Sequence, residues 1–183
     1  MPRKLLRKVL PDPEAVRSRR VVGLFGAWVH DPRLWHLNRR SVPGAVAIGL
    51  FCGLIPGPLQ MLGALALTVP LRQNVPVALL TTLYTNPLTI VPLYVLAYRY
   101  GALFFGAEGS APIPLYETDW SDWAGSARAL LDWALALGKP LAVGLLALAL
   151  TLALAGYCAV SLAWRLHVAA AWRRRKKKRR SSR

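Results

Sequence analysis

The stretch GLFCGLIPGPLQM, residues 49–61, decides how this chain folds. It contains no charged residue and is apolar enough for the interior of a membrane, yet its centre is Pro56-Gly57-Pro58. Proline removes a backbone donor and clashes with the preceding helical turn, and glycine is the next least favourable residue in a helix. The stretch therefore predicts a break between two helical segments at 56–58.

Three long uncharged runs, residues 41–71, 73–98 and 140–164, dominate the middle of the chain. Each is longer than the roughly 20 apolar residues that a helix needs to span a bilayer. The net charge of +16 is concentrated at the two ends, because Lys and Arg outnumber the acids in residues 1–40 and 165–183. An apolar middle between two basic ends predicts an all-α membrane protein.

The break at 56–58 also bears on the predicted topology. Lys and Arg mark cytoplasmic flanks, so both basic ends are expected in the cytoplasm, which requires an even number of crossings. Run 41–71 meets this requirement if it enters the membrane and returns as a re-entrant helical hairpin, which leaves two spanning helices in runs 73–98 and 140–164. The alternative is one kinked span for 41–71, with three crossings and an external basic end.

The segments of the chain differ in charge and pattern. Residues 1–40 form a basic N-terminal region with helical apolar spacing, typical of amphipathic interfacial helices on an anionic membrane or packed on the protein's own core. Residues 41–105 form the core membrane domain with two proline-broken apolar segments. Residues 106–139 form an acidic external loop with an amphipathic helix that we expect Asp119 to cap. A transmembrane helix, 140–164, precedes a basic cytoplasmic tail, 165–183.

A second break resembles the first. LIPGPLQ at 54–60 aligns with LYTNPLT at 83–89, with proline and the following leucine in the same places. Paired interruptions of apolar segments point to a binding site near the membrane midplane in transporters. The alternative is that the breaks only let half-helices pack, with Asn86 bonding carbonyls that Pro87 frees. The candidate midplane residues are Pro56, Gly57, Pro58, Gln60, Asn86, Pro87 and Thr89.

Aromatic and basic residues at the edges of the apolar runs are candidate membrane anchors. The predicted interface anchors are Trp35, Arg39, Arg40, Arg72 and Arg99. The tail begins only a few residues after an apolar run, which favours anionic lipid headgroups as its ligand, and nucleic acid is not expected. The predicted lipid-binding residues are Arg173, Arg174, Arg175, Lys176, Lys177, Lys178, Arg179 and Arg180.

Several function classes find no support in the sequence. Runs 41–71 and 73–98 contain no ionisable Asp, Glu, Lys, Arg or His, which argues against an ion-coupled pump and an intramembrane hydrolase. No GxGxxG, phosphate-binding loop, HExxH or GxSxG motif is present, so we do not expect an enzyme. Cys52 and Cys158 lie in apolar runs without metal-ligand spacing, so we expect buried thiols and no metal or other cofactor.

The quoted motifs resemble a known family. DPRLWHLNRRSVPGAVAIGLFCGLIPGPLQM (31–61), RQNVPVALLTTLYTNPLTIVPLY (72–94) and YRYG (98–101) are similar to a family of bacterial membrane proteins, domain of unknown function number twenty sixty-two. Pro43 departs from the pattern, which has a small helix-former there, although proline suits the first turn of a helix. The resemblance implies a bacterial inner (cytoplasmic) membrane location and no established activity. The charge pattern adds a multi-pass topology with both termini cytoplasmic.

Two functional hypotheses follow from the sequence. The first is a small pathway or facilitator for a lipid or small solute at the cell envelope, built around the two breaks and compatible with a homo-oligomer. The second is a non-transporting scaffold or accessory protein that recruits partners through its basic tail and amphipathic helices. Both place the lipid bilayer and its anionic headgroups among the partners.

Overall fold

The computed structural model describes residues 34–105 and 122–180. Its regular elements within these ranges are helices, which confirms the all-α prediction for the described part of the chain. The helices are α1 (Ser41–Cys52), α2 (Leu59–Thr68), α3 (Val75–Thr82), α4 (Ile90–Ala102), α5 (Trp123–Ala136) and α6 (Gly138–Arg180). They form two units, residues 34–82 with 152–180 and residues 83–105 with 122–151. The predicted amphipathic N-terminal helices lie outside the described residues.

In the first unit the chain reverses direction between α1 and α2. Ile48 and Cys52, in the second half of α1, form a buried cluster with Ala64 of α2. At the other end, Leu65 and Val69 pack against Leu34, which lies before α1. Because the end of α2 meets the segment that precedes α1, the two helices are antiparallel neighbours.

Helix α3 packs against both α1 and α2. Val42 and Ala45 of α1 form a buried cluster with Val77 and Ala78 of α3. Gly49 of α1 lies directly against the carbonyl of Ala78, so a larger residue at position 49 would collide with backbone. The later part of α6 joins this unit, since Val160 and Trp164 pack on the same cluster.

Polar residues at the helix ends of the first unit satisfy backbone groups. The side-chain oxygen of Asn74 accepts from the Val77 N–H at 3.0 Å, so Asn74 caps the start of α3. Thr68 donates its hydroxyl to the Ala64 carbonyl at 2.7 Å, which removes an unpaired polar group from an apolar helix. Pro43 lies in the first turn of α1, as predicted, where a missing N–H costs no helical hydrogen bond.

In the second unit, α4 and α6 approach so closely that glycine is required at the contact. A Cβ on Gly101 would overlap the backbone of Pro140 and Gly144, and a Cβ on Gly144 would overlap the carbonyl of Ala97. Small residues at such positions let helix backbones pack without intervening side chains.

Helix α5 begins later than the sequence suggested. Its N-cap is Asp122, whose carboxylate accepts from the Gly125 N–H at 2.8 Å. The prediction that Asp119 caps this helix is wrong for the helix that the structure describes, and Asp119 itself lies outside the described residues. Both aspartates precede a tryptophan, so the local sequence does not distinguish them.

Helix α6 is the one described helix long and apolar enough, by length and composition, to cross a membrane. The qualifying stretch is Gly138–Ala170, 33 residues, and only 17% of its most apolar window is buried. The helix continues to Arg180, so the predicted boundary at residue 164 is not a helix end. The other predicted spanning run, 73–98, is divided at 83–89 into α3 and α4, which have 8 and 13 residues. Each is too short to span a hydrocarbon core of ~30 Å by itself.

The close contact at Gly144 provides a test of this packing. We expect Gly144→Ala to lower the free energy of unfolding by about 1–3 kcal/mol, because the new methyl group meets backbone and forces the helices apart. Thermal unfolding of the purified protein in detergent measures the effect. Gly156→Ala is the matched control on the same helix, since its methyl group meets mainly the flexible tip of Leu50. Equal stability of the two variants would contradict the packing.

Candidate functional site

The first break is a turn whose conformation requires glycine. Gly57 has φ +69°, in the left-handed region, and a Cβ there would meet nothing within 4 Å, so backbone conformation and not space selects glycine. Pro58 follows with φ −68° as the N-cap of α2, the value that its ring imposes. Pro56 and Gln60 are half-buried on either side of this exposed pair. The turn therefore lies where the sequence predicted it.

The second break is closed by side-chain hydrogen bonds. The side-chain oxygen of Asn86 accepts from the N–H groups of Leu88 at 2.9 Å and Thr89 at 3.1 Å. The Thr89 hydroxyl donates to the Tyr84 carbonyl at 2.7 Å and accepts from the Asn86 N–H at 2.9 Å. Asn86 and Thr89 thus hold the turn that precedes α4.

The two breaks share a position in the alignment but differ in conformation. Asn86 aligns with Gly57, yet it does not adopt a positive φ and instead uses its side chain to bond backbone. The expectation that Asn86 bonds carbonyls freed by Pro87 is wrong, since its side chain accepts from N–H groups. The first break lies in one unit and the second in the other, and each is a local turn.

The corner before α1 holds two of the predicted anchors, Arg39 and Arg40. The side-chain oxygen of Asn38 accepts from the N–H groups of Arg40 at 2.9 Å and Ser41 at 2.8 Å. The Ser41 hydroxyl donates to the His36 carbonyl at 3.2 Å, which fixes the same corner from the other side. Both arginine side chains are exposed at this fixed corner.

Arg72 closes the C-terminal end of α2 in a conformation that usually selects glycine. Its φ is +51°, its N–H donates to the Val69 carbonyl at 3.1 Å, and the next N–H, of Gln73, donates to the Thr68 carbonyl at 2.9 Å. This pair of hydrogen bonds defines a Schellman motif with arginine at the left-handed position. A non-glycine residue there costs roughly 1–2 kcal/mol, so the motif itself does not explain the arginine.

The reversal of the chain brings Arg72 back to the corner that holds Arg39 and Arg40. A depression of about 560 Å³ is lined by Asn38, Arg39, Arg40, Ser41, Arg72 and Gln73. A second depression, of about 590 Å³, is lined by Arg39, Arg40, Tyr157, Ser161, Trp164 and Arg165. We refer to Arg39, Arg40, Arg72 and Arg165 together as the arginine end.

The comparisons with known proteins place the chain in a family. The sequence profile of DUF2062, an uncharacterised protein conserved in bacteria, matches residues 23–173. The chain belongs to this family. No curated protein and no solved structure matches the chain.

The DUF2062 match confirms the resemblance seen in the sequence and extends it. The motifs that suggested the family lie between residues 31 and 101, whereas the match also includes α5 and most of α6. Both breaks and the whole arginine end lie inside the DUF2062 region. Membership of this family brings no established activity.

The remaining predicted anchors of the DUF2062 chain occupy different surroundings. Trp35 is half-buried and packs on the cluster formed by Leu34, Leu65, Val69 and Val75, so it contributes to the core of the first unit. Arg99 is exposed in the last turn of α4, where a positive charge interacts favourably with the helix dipole. The tail residues 173–180 continue the backbone of α6 as a helix, and their lipid binding stays a prediction.

Sequence reasoning missed the part of the arginine end that α6 supplies. Tyr157, Ser161, Trp164 and Arg165 recur at helical spacing, which places them on one face of α6. The sequence shows that face, but it does not show that α6 packs beside the corner at Arg39. Asn38 was also missed; its side chain accepts from the N–H groups two and three residues ahead, the pattern of an Asx turn, which asparagine favours.

Thiol placement differs from the prediction at one of two positions. Cys52 is buried, as expected, whereas Cys158 is exposed on α6. An exposed thiol on a helix that is mostly uncovered follows from the low burial of α6. Among the described residues, no group of three or more His, Cys, Asp or Glu is arranged to hold a metal ion.

The conformation of Arg72 gives a second test. We expect Arg72→Gly to leave stability unchanged or raise it by up to ~1 kcal/mol, because glycine adopts the left-handed conformation without strain. Arg99→Gly is the matched control, and it should lower stability by about 1 kcal/mol because position 99 is helical. Thermal unfolding of both variants in the same detergent makes the comparison. A larger loss at position 72 than at 99 would contradict the assigned conformation.

Proposed function

We propose that the chain is a multi-pass protein of the bacterial inner membrane. The observation that supports the membrane location most is α6, whose 33-residue apolar stretch is barely covered by the rest of the described chain. Large aliphatic side chains such as Leu146, Leu150 and Leu154 are more than half exposed. An exposed apolar surface of this length would destabilise a protein in water, whereas lipid solvates it.

We further propose that α1 and α2 form a re-entrant hairpin. These helices have 12 and 10 residues, which gives lengths of roughly 18 Å and 15 Å, about half of a ~30 Å hydrocarbon core. Their antiparallel packing supports an excursion that enters and leaves on one side. Both termini are then cytoplasmic if the rest of the chain crosses twice, with the region after α4 outside.

The exposed turn at Gly57 and Pro58 connects this topology to a function. Non-helical backbone at membrane depth is stable only where protein or water covers it. Among the described residues Gly57, Pro58 and Leu59 are exposed, so the cover comes from elsewhere: another part of the chain, another subunit or a water-filled path. We therefore propose a small pathway or facilitator for a lipid or small solute, with the turn at 56–58 at its lining; the second break lies in the other unit and is tested separately. A homo-oligomer would supply the cover.

A scaffold or accessory protein is the second candidate function. The extension of α6 through eight consecutive basic residues, 173–180, favours it, because a helix end of this charge can dock on acidic partners or anionic lipid. In this function both breaks are structural turns. The hydrogen bonds that Asn86 and Thr89 make with neighbouring backbone are consistent with that role.

Cysteine labelling at the breaks separates the two functions. We expect Pro58→Cys and Asn86→Cys, in a background without Cys52 and Cys158, to react with a small membrane-impermeant thiol reagent, because a pathway keeps its lining in contact with water. Pro58 is preferable to Gly57 because it does not require a positive φ. Labelling in sealed vesicles, detected by mass shift, is the measurement.

Leu150→Cys, on the exposed apolar face of α6, is the lipid-facing control for this experiment. Reaction at both breaks with protection at position 150 supports the pathway. Protection at all three positions would contradict the pathway and would favour the scaffold function.

A further inference from the structure

We propose that the arginine end is a binding site for a phosphate group. Two depressions lie side by side there and share Arg39 and Arg40, with Arg72 on one side and Arg165 on the other. Nothing in the proposed pathway or scaffold requires such a site. The inference rests on the packing of the first unit alone, so a test of the phosphate site does not depend on whether the pathway or the scaffold function is correct.

The described part of the first unit contains basic residues and no acidic ones. Its described residues, 34–82 and 152–180, contain no Asp or Glu, so no carboxylate within them can pair with the four arginines. Guanidinium groups gathered around shared depressions repel one another unless an anion lies between them. Arginine is the residue that binds phosphate best, because its planar fork donates two parallel hydrogen bonds.

Two helix N-termini and one helix C-terminus lie at the arginine end. Helices α1 and α3 both begin there, since Gly44 in the first turn of α1 lies against the side chain of Gln73, just before α3. The N-termini of α1 and α3 bear partial positive charge and favour anions, whereas the C-terminus of α2 bears partial negative charge, which the Arg72 guanidinium offsets. Arg72 adds a full positive charge there, at a left-handed position that the backbone alone would favour for glycine.

The second depression is suited to a phosphate that belongs to a larger molecule. The hydroxyls of Tyr157 and Ser161 and the indole N–H of Trp164 are donors beside Arg165. Trp164 is held in place by packing on the cluster of Val42, Ala45, Val77 and Ala78. Aromatic residues next to arginines are typical of the headgroup layer of a membrane. A phospholipid headgroup and free inorganic phosphate share the chemistry that this site recognises.

Binding to the delipidated full-length protein in neutral detergent tests the proposal. Native mass spectrometry measures the affinity for two probes, phosphatidylglycerol and inorganic phosphate, with phosphatidylcholine as the zwitterionic reference. We expect the double variant Arg39→Gln, Arg40→Gln to weaken binding of phosphatidylglycerol at least tenfold, since both depressions share these residues. Arg40→Lys should lose part of the affinity, because lysine keeps the charge and loses the fork.

The matched control is Arg128→Gln with Lys139→Gln, which removes the same charge from two exposed positions of the second unit. It should change the affinity less than threefold. An equal loss for the two double variants would overturn the proposal, as would no loss for the variant at 39 and 40 with its thermal stability intact. If the double variant unfolds, an Arg40→Lys variant with unchanged affinity overturns the proposal by itself.

Competition identifies the source of the phosphate. Displacement of phosphatidylglycerol by millimolar inorganic phosphate, lost in the Arg39→Gln, Arg40→Gln variant, assigns free phosphate as a ligand of the site. Tight binding of phosphatidylglycerol that inorganic phosphate does not displace assigns the lipid headgroup. Both outcomes support a phosphate site. If neither phosphatidylglycerol nor inorganic phosphate binds, the proposal is contradicted.

Discussion

The structure depends on one backbone constraint, the inability of Pro56-Gly57-Pro58 to continue a helix. Gly57 adopts φ +69° and Pro58 starts the next helix, so the chain reverses after only 12 helical residues. The reversal places the end of α2 beside the segment before α1. Without it, Arg72 would lie far from Arg39 and Arg40, and the first depression of the arginine end would not exist.

Polar side chains between the helices bond nearby backbone. Asn74 caps α3, and Asn86 and Thr89 bond the backbone of their own turn. In an apolar environment each of these hydrogen bonds avoids the cost of an unpaired group, which is reason enough for the residues to be polar. Two buried atoms of the first unit, Oε1 of Gln73 and Nδ2 of Asn74, have no hydrogen-bond partner. The charged groups without a counterpart are its arginines, which have no acidic partner among the described residues of that unit. The chemistry of this DUF2062 protein is therefore more sharply indicated at the arginine end than at the breaks.

Much of the fold could be predicted because it follows from short-range rules. The break at 56–58 requires only the known behaviour of proline and glycine, and the apolar length of α6 follows from composition. The start of α5 could not be fixed, because Asp119 and Asp122 present the same local capping signal. The left-handed Arg72 could not be predicted, since its residue type gives no indication of that conformation. Tyr157 and Trp164 could be placed on one face of α6, but their position beside Arg39 depends on tertiary packing that no local pattern encodes.

The return of Arg72 to the side of Arg40 is the central claim, and a distance measured in a membrane tests it most directly. Spin labels at Arg40→Cys and Arg72→Cys, in a background without Cys52 and Cys158, report this distance in proteoliposomes by double electron–electron resonance. A reversal at 56–58 predicts a separation well below the ~30 Å thickness of the hydrocarbon core. A separation of ~30 Å or more would mean that residues 41–71 cross the membrane as a single kinked span, and would contradict the account.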